Sequence, residues 1–154
     1  MATLSTRLGR PAAEWDGLAD AVRAGFARFW NAAEGCCFDV LDTPEGGDDA
    51  SVRPNQILAV AVHASPLTTE QQRSVVEVCA RWLVTSYGVR TLHPEHPAYQ
   101  GRATGNVAAR DRAYHQGTAW TWLLGAFARA HHRAHGDRAA ALDILAPLAQ
   151  HLED

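Results

Sequence analysis

The sequence predicts an all-α fold, one mostly helical unit of about five helices joined by long loops. Three observations predict it. Apolar residues recur at spacings of three and four in separate stretches, helix start and stop residues bracket those stretches, and no tandem repeat or low-complexity linker divides the 154 residues. The composition, 47% hydrophobic and 20% charged, is that of a soluble globular domain and argues against disorder.

The first helix is expected between Pro11 and Trp30, where Trp15, Leu18, Val22, Phe26 and Phe29 form one face and Pro11 suits a first turn. Asn31 to Asp42 holds Gly35 and the short apolar run Cys36 to Leu41, which suits an extended segment or a small hairpin strand better than a helix. Gly46-Gly47-Asp48-Asp49 marks a loop. The run Ile57 to Val62 fits a buried helix or strand by period alone; Ser51 as a cap and Pro54 near a first turn favour the helix.

Thr68 and Gln71 have capping-box spacing, and Val75, Val76, Cys79, Trp82 and Leu83 continue a helical stripe toward Gly88. Leu92 to Arg112 is irregular, with His93-Pro94, His96-Pro97, Tyr99, Gly101 and Gly105. A loop of that length in a compact domain is usually functional or disordered. A further helix is expected from about Trp120 to His135, buried through Leu123, Leu124, Phe127, Ala130 and Ala134 and stopped by Gly136. Asp137 caps the last helix, which must bend or restart at Pro147 because proline lacks the backbone donor.

Charge and cysteine content narrow the function classes. A net charge of -3 offers no basic footprint for nucleic acid, and no apolar run is long enough to span a bilayer. Met1 to Arg7 lacks the apolar core of a signal peptide, so a cytoplasmic location is expected. All 14 basic residues are Arg, which reads as genome composition and not as chemistry. The odd number of cysteines, Cys36, Cys37 and Cys79, indicates no disulfide framework; they read as small core residues.

His131 and His135 have the four-residue spacing of a two-histidine zinc site, but no metalloprotease Glu follows and no third ligand is evident. They, and the loop histidines His93 and His96, read as solvated side chains, so no metal is expected. No nucleophile elbow or phosphate loop occurs either.

The stretch Tyr114 to Trp122 fits sugar binding better. Hydroxyls want amide, guanidinium or imidazole partners, while the C–H faces of a sugar stack on aromatic rings. Asp49, Arg53, Asn55, Gln56, Tyr99, His115, Gln116, Trp120 and Trp122 supply both kinds at helix starts or in the loops before them. The same residues also suit an internal polar network, with Trp120 and Trp122 as core aromatics and Arg53 paired to Asp48 or Asp49. His115 beside Gln116 favours a site.

Asp48-Asp49-Ala50-Ser51-Val52-Arg53-Pro54-Asn55-Gln56, Leu92-His93-Pro94 with Tyr99-Gln100-Gly101-Arg102, and Tyr114 through Gly125 together resemble the C-terminal region of bacterial glycogen debranching enzymes of the amylo-α-1,6-glucosidase type. Phe29-Trp30-Asn31 and Asp39-Val40-Leu41-Asp42 extend the match. Ala119 and Thr121 differ, standing where relatives commonly have Val and Pro.

The resemblance implies an (α/α)6 toroid and inverting hydrolysis of α-1,6-linked glucose in glycogen or branched α-glucan oligosaccharides, with no metal or cofactor. Inversion needs one carboxyl group to protonate the leaving oxygen and another to activate water, far enough apart to admit that water. The resemblance puts the acid, an Asp, upstream of the part matching Leu8 and the base, a Glu, beyond the part matching Leu152. Residues 1–154 are therefore expected to be a partial C-terminal glucosidase domain with no catalytic residue of its own. By the same resemblance, Arg53, Asn55, Gln56, Tyr99, His115, Gln116, Trp120 and Trp122 bind or shape the glucose pocket. The alternative is a non-catalytic helical module that binds glucan or assembles with a separate chain supplying the rest of the toroid.

Overall fold

The computed structural model describes residues 2–9 and 11–153, and the chain is mostly helical. Its centre is three helices: α3 (Asn55–Ala61), α4 (Thr69–Trp82) and α6 (Leu123–His135). Each offers one apolar stripe. Ile57 and Val60 of α3, Val75, Val76 and Cys79 of α4, and Leu124, Phe127 and Ala130 of α6 are buried together in one core. Burial of such side chains is the main favourable contribution to folding, roughly 1.5–3 kcal/mol for each large one.

The ends of these helices follow the local chemistry. Thr68 accepts from the Gln71 backbone N–H while the Gln71 side chain accepts from the Thr68 N–H, a complete capping box that satisfies otherwise orphaned donors. Gly136 ends α6 in the left-handed region, φ 72°, where a side chain would be strained. Asp137 caps α7 (Arg138–Asp143), and the chain restarts as α8 (Ala146–His151) with Pro147 in its first turn, as the proline requires.

α1 (Ala2–Arg7) and α2 (Ala13–Phe26) precede the core. Instead of one helix from Pro11 to Trp30, α2 tightens into a 3-10 turn over Ala27–Phe29, and Trp30 begins a strand. β1 (Trp30–Asn31) pairs antiparallel with β2 (Cys36–Cys37), the small hairpin foreseen around Gly35. The apolar face of α2 is not buried as its period suggested. Leu18 and Val22 are 56% and 55% exposed.

Other boundaries moved for physical reasons. Ser51 does not cap α3; Pro54 holds that position without a side-chain bond, and its missing N–H costs nothing there. After Trp82 the chain turns into β3 (Val84–Thr85) and β4 (Gly88–Arg90), and β4 pairs on its other side with β5 (Ala119–Trp120). Trp120 thus lies in a strand and not at the start of α6. Gly88 permits that closure, because an added Cβ would come within 3.0 Å of the Trp120 backbone. The irregular region ends in α5 (Val107–Ala113), capped by the Asn106 side chain, which the sequence reading did not anticipate. Among the described residues no helix is long and apolar enough to cross a membrane.

Candidate functional site

The segment leading into α3 passes beside the loop before β5, and Arg53 ties the two together. Its Nη1 donates to the carbonyl oxygens of Thr91 (3.0 Å) and His115 (2.6 Å), and Nη2 donates to Gln116 Oε1 (3.0 Å). Its Nε lies 3.4 Å from Asp39 Oδ2. A guanidinium suits this junction because its donors form a rigid planar fork, whereas an ammonium offers one point charge.

Asp39 reaches the junction from the turn after β2 and accepts from Asn55 Nδ2 at 3.2 Å. Burial pushes the Asp39 carboxyl above its ordinary pKa, with the Asn55 bond and the Arg53 charge pulling the other way. Asp49, nearby, is held below the usual carboxylate range by the Ser51 side-chain hydrogen bond, aided by the Ser51 backbone N–H.

These groups border a cleft of about 420 Å³ walled by Asp39, Asp49, Arg53, Asn55, His115 and Gln116. Carboxylate acceptors, a guanidinium and side-chain amides border one space. That set matches vicinal hydroxyls, each of which donates and accepts. Cavities of this size are typical of small-ligand sites.

Four of the eight sequence-derived binding residues therefore meet: Arg53, Asn55, His115 and Gln116. The other four are placed elsewhere. Gln56 is buried and spends its amide on the fold, accepting from the Cys37 N–H (3.0 Å) and donating to the Arg53 carbonyl (3.1 Å). It ties hairpin β1–β2 to the turn that carries Arg53.

Tyr99 packs against the loop that presents His115 and Gln116. Gly117, at φ 137°, passes so close that a Cβ there would lie 2.6 Å from the Tyr99 ring and 2.7 Å from the Gln100 carbonyl. The Gly117 N–H donates to Thr91 Oγ1 at 2.9 Å. Trp120 donates from Nε1 to the Tyr114 carbonyl (3.2 Å), with the Tyr114 ring against its own at 4.5 Å. Trp122 is 66% exposed just before α6.

Two groups that sequence reasoning did not name as binding residues complete the cleft: Asp39 and Thr91. Asp39 stood inside the matched stretch Asp39-Val40-Leu41-Asp42, which was its only signal. The alternative reading of Arg53 as part of an internal polar network paired it with Asp48 or Asp49; its ion-pair partner is Asp39.

Of the histidine pair on α6, His135 is exposed as expected, while His131 departs from expectation. His131 is half-buried, its Nδ1 has no hydrogen-bond partner, and its ring lies 4.8 Å from that of His135. Burial, then the neighbouring His135, pushes its pKa down. Among the described residues no group of three or more His, Cys, Asp or Glu could hold a metal ion.

Comparison with known proteins settles the family. Residues 1–154 match the family model described as amylo-alpha-1,6-glucosidase. The chain belongs to the amylo-alpha-1,6-glucosidase family. Over 103 residues it is 32% identical to the glycogen debranching enzyme of Saccharomyces cerevisiae, a match covering 63% of this chain and 7% of that protein. The chain thus matches only a small part of that relative's length. In this amylo-alpha-1,6-glucosidase family member, Arg53, Asn55 and Gln56 do three different jobs within four residues: clamping the loop, fixing Asp39 and anchoring the hairpin.

Proposed function

We propose that the chain forms a glucan-binding wall of a glycogen-debranching α-1,6-glucosidase, working in the cytoplasm on glycogen or branched α-glucan oligosaccharides. One observation carries the reading: Arg53 gathers Asp39, Gln116 and the His115 carbonyl beside a cleft whose wall carries several groups that bond hydroxyls well, Asp39, Asp49, Asn55 and Gln116 among them. Family membership supports the substrate class. The chain's part is positioning, and fixed hydrogen-bonding groups that need no reorganisation contribute to catalysis through orientation.

The cleft carboxylates are committed to other work. Asp39 is engaged by Arg53 and Asn55, and Asp49 is held ionised by Ser51, which makes it a poor proton donor near neutral pH. The acid and base of the inverting reaction are assigned to segments outside these 154 residues.

Calorimetric titration with maltooligosaccharides tests the binding, and glucose release from a branched limit dextrin tests the division of labour. Binding by the chain, weakened about tenfold or more by Gln116→Ala, is the expected result. Glucose released by the purified chain alone would overturn the assignment of acid and base elsewhere. Wild-type affinity in the variant would remove Gln116 from the site.

A second reading, assembly with a separate chain that supplies further helices, is favoured by an apolar groove of about 480 Å³. Val22, Phe26, Phe29, Leu58, Val62 and Pro66 are among its walls. Exposed apolar patches of this kind commonly mark interaction surfaces. Light scattering during size-exclusion chromatography separates the readings. A monomer that binds glucan supports a self-sufficient wall, whereas self-association or aggregation supports the assembly reading.

A further inference from the structure

His131 and His135 stand four residues apart near the end of α6, and the Arg53 cleft uses neither. Four residues make slightly more than one helical turn, so both side chains leave the same face. Their ring centroids are 4.8 Å apart, with the planes inclined at 45°. With metal–nitrogen bonds of about 2.1 Å, two imidazoles that share one ion at right or tetrahedral angles hold their centroids roughly 4.5–5.2 Å apart. The pair already has that spacing.

His131 is also uncommitted. Histidines fixed by the fold spend a ring nitrogen on it: His93 Nδ1 accepts from the Glu95 N–H at 3.0 Å, and His96 Nδ1 accepts from the Ala98 N–H at 3.1 Å. His131 Nδ1 is instead buried without a hydrogen-bond partner, a costly and uncommon arrangement for a polar atom. Burial, and next the neighbouring His135, lower the His131 pKa, with Asp137 opposing. The ring is therefore neutral near pH 7 and offers a lone pair for which no proton competes.

The backbone that carries the pair is held in place. Arg73 of α4 donates from Nε to the Ala134 carbonyl at 3.0 Å, and Arg133 Nη2 donates to the His63 carbonyl in the loop between α3 and α4. Ligands on a fixed backbone lose little freedom when an ion binds. A cation is favoured there as well, because the carbonyl groups that end α6 form the negative end of the helix dipole. Neutral imidazole suits Cu²⁺, Ni²⁺ and Zn²⁺, whereas Mg²⁺ and Ca²⁺ take oxygen ligands.

We propose that His131 and His135 form a two-imidazole site on α6 for one divalent transition-metal ion of the copper, nickel or zinc class. Among the described residues no third His, Cys, Asp or Glu joins the pair, so water fills the remaining positions and binding is weaker than at a closed structural site. The bound ion clips the last turn of α6 just before the Gly136 stop.

Titration calorimetry with Ni²⁺ on the tag-free 154-residue chain tests the proposal, with Mg²⁺ as the oxygen-seeking control. The wild type and His132→Ala should bind one Ni²⁺, while His135→Ala and His131→Gln should each bind it about tenfold or more weakly. His135 is exposed, so its replacement leaves the core intact and decides the question even where His131→Gln does not fold. Nitrogen-15 spectra during a Zn²⁺ titration should move the ring signals of His131 and His135 before those of the other histidines. Ni²⁺ should raise the thermal midpoint of the wild type and not that of His135→Ala. Equal Ni²⁺ affinity in the wild type and His135→Ala, displacement of Ni²⁺ by equimolar Mg²⁺, or first shifts at other histidines would each overturn the site.

Discussion

Arg53 shows how one side chain can hold a site that its sequence neighbours do not suggest. It is largely buried and bonds to three segments, through Asp39, the Thr91 carbonyl, and His115 with Gln116. Removing it would leave Asp39 shielded from water without its cation and two carbonyl groups short of a donor, and such losses are costly because the desolvation penalty stays. Arg53→Ala should lower stability by about 2–4 kcal/mol, read as a shift in the urea midpoint, and Arg53→Lys should recover only part of it. A midpoint unchanged within error would show that the junction is solvated and energetically idle. The type and position of Arg53 were legible in the matched stretch. Its partner was not, because an Asp fourteen residues upstream reaches it only through the β1–β2 hairpin and the turn that follows.

At the scale of elements, those with strong local chemistry appeared where expected. The α4 start is set by Thr68 and Gln71 alone, and Thr68→Ala should cost about 1 kcal/mol without altering the cleft. Equilibrium unfolding with maltooligosaccharide titration checks both halves. A loss of glucan binding alongside would mean that α4 positions the site more directly than its contacts indicate. Elements with weak local chemistry escaped. β3, β4 and β5 are two or three residues long, too short to show alternation, and α5 has no residue beyond Ala113 that is buried. The face of α2 illustrates the reverse error: its period is helical, yet periodicity says nothing about whether a partner covers the face.

At the scale of the whole molecule, the core shared by α3, α4 and α6 also holds the Cys37 and Cys79 thiols, and Cys36 is buried beside Cys37 on β2; all three are free. Burial pushes Cys37 up to about 11 and Cys36 in the same direction, and drives Cys79, with no exposed surface, well beyond both. Since the thiolate is the reactive form, alkylation near neutral pH should be slow in the native protein and rapid in denaturant. Mass spectrometry of the labelled chain checks this. Rapid labelling of Cys36 and Cys37 with Cys79 protected would instead reveal local opening of the hairpin that carries Asp39 toward the cleft.

The sequence by itself determined the helical class, the start of α4, the stop of α6 at Gly136, the start of α7 at Asp137, the restart around Pro147, and the family through its matched stretches. Those features depend on caps, glycine and proline stops and apolar spacing, which act over one or two turns of chain. Only the tertiary structure decided which polar residues share a space. It brought Arg53, Asn55, His115 and Gln116 together with Asp39, kept Gln56 inside, and left Trp122 in solvent. Hydrogen bonds between distant segments depend on how α3, α4 and α6 pack and on how Gly117 lets one loop pass Tyr99. Short-range preferences carry no record of either.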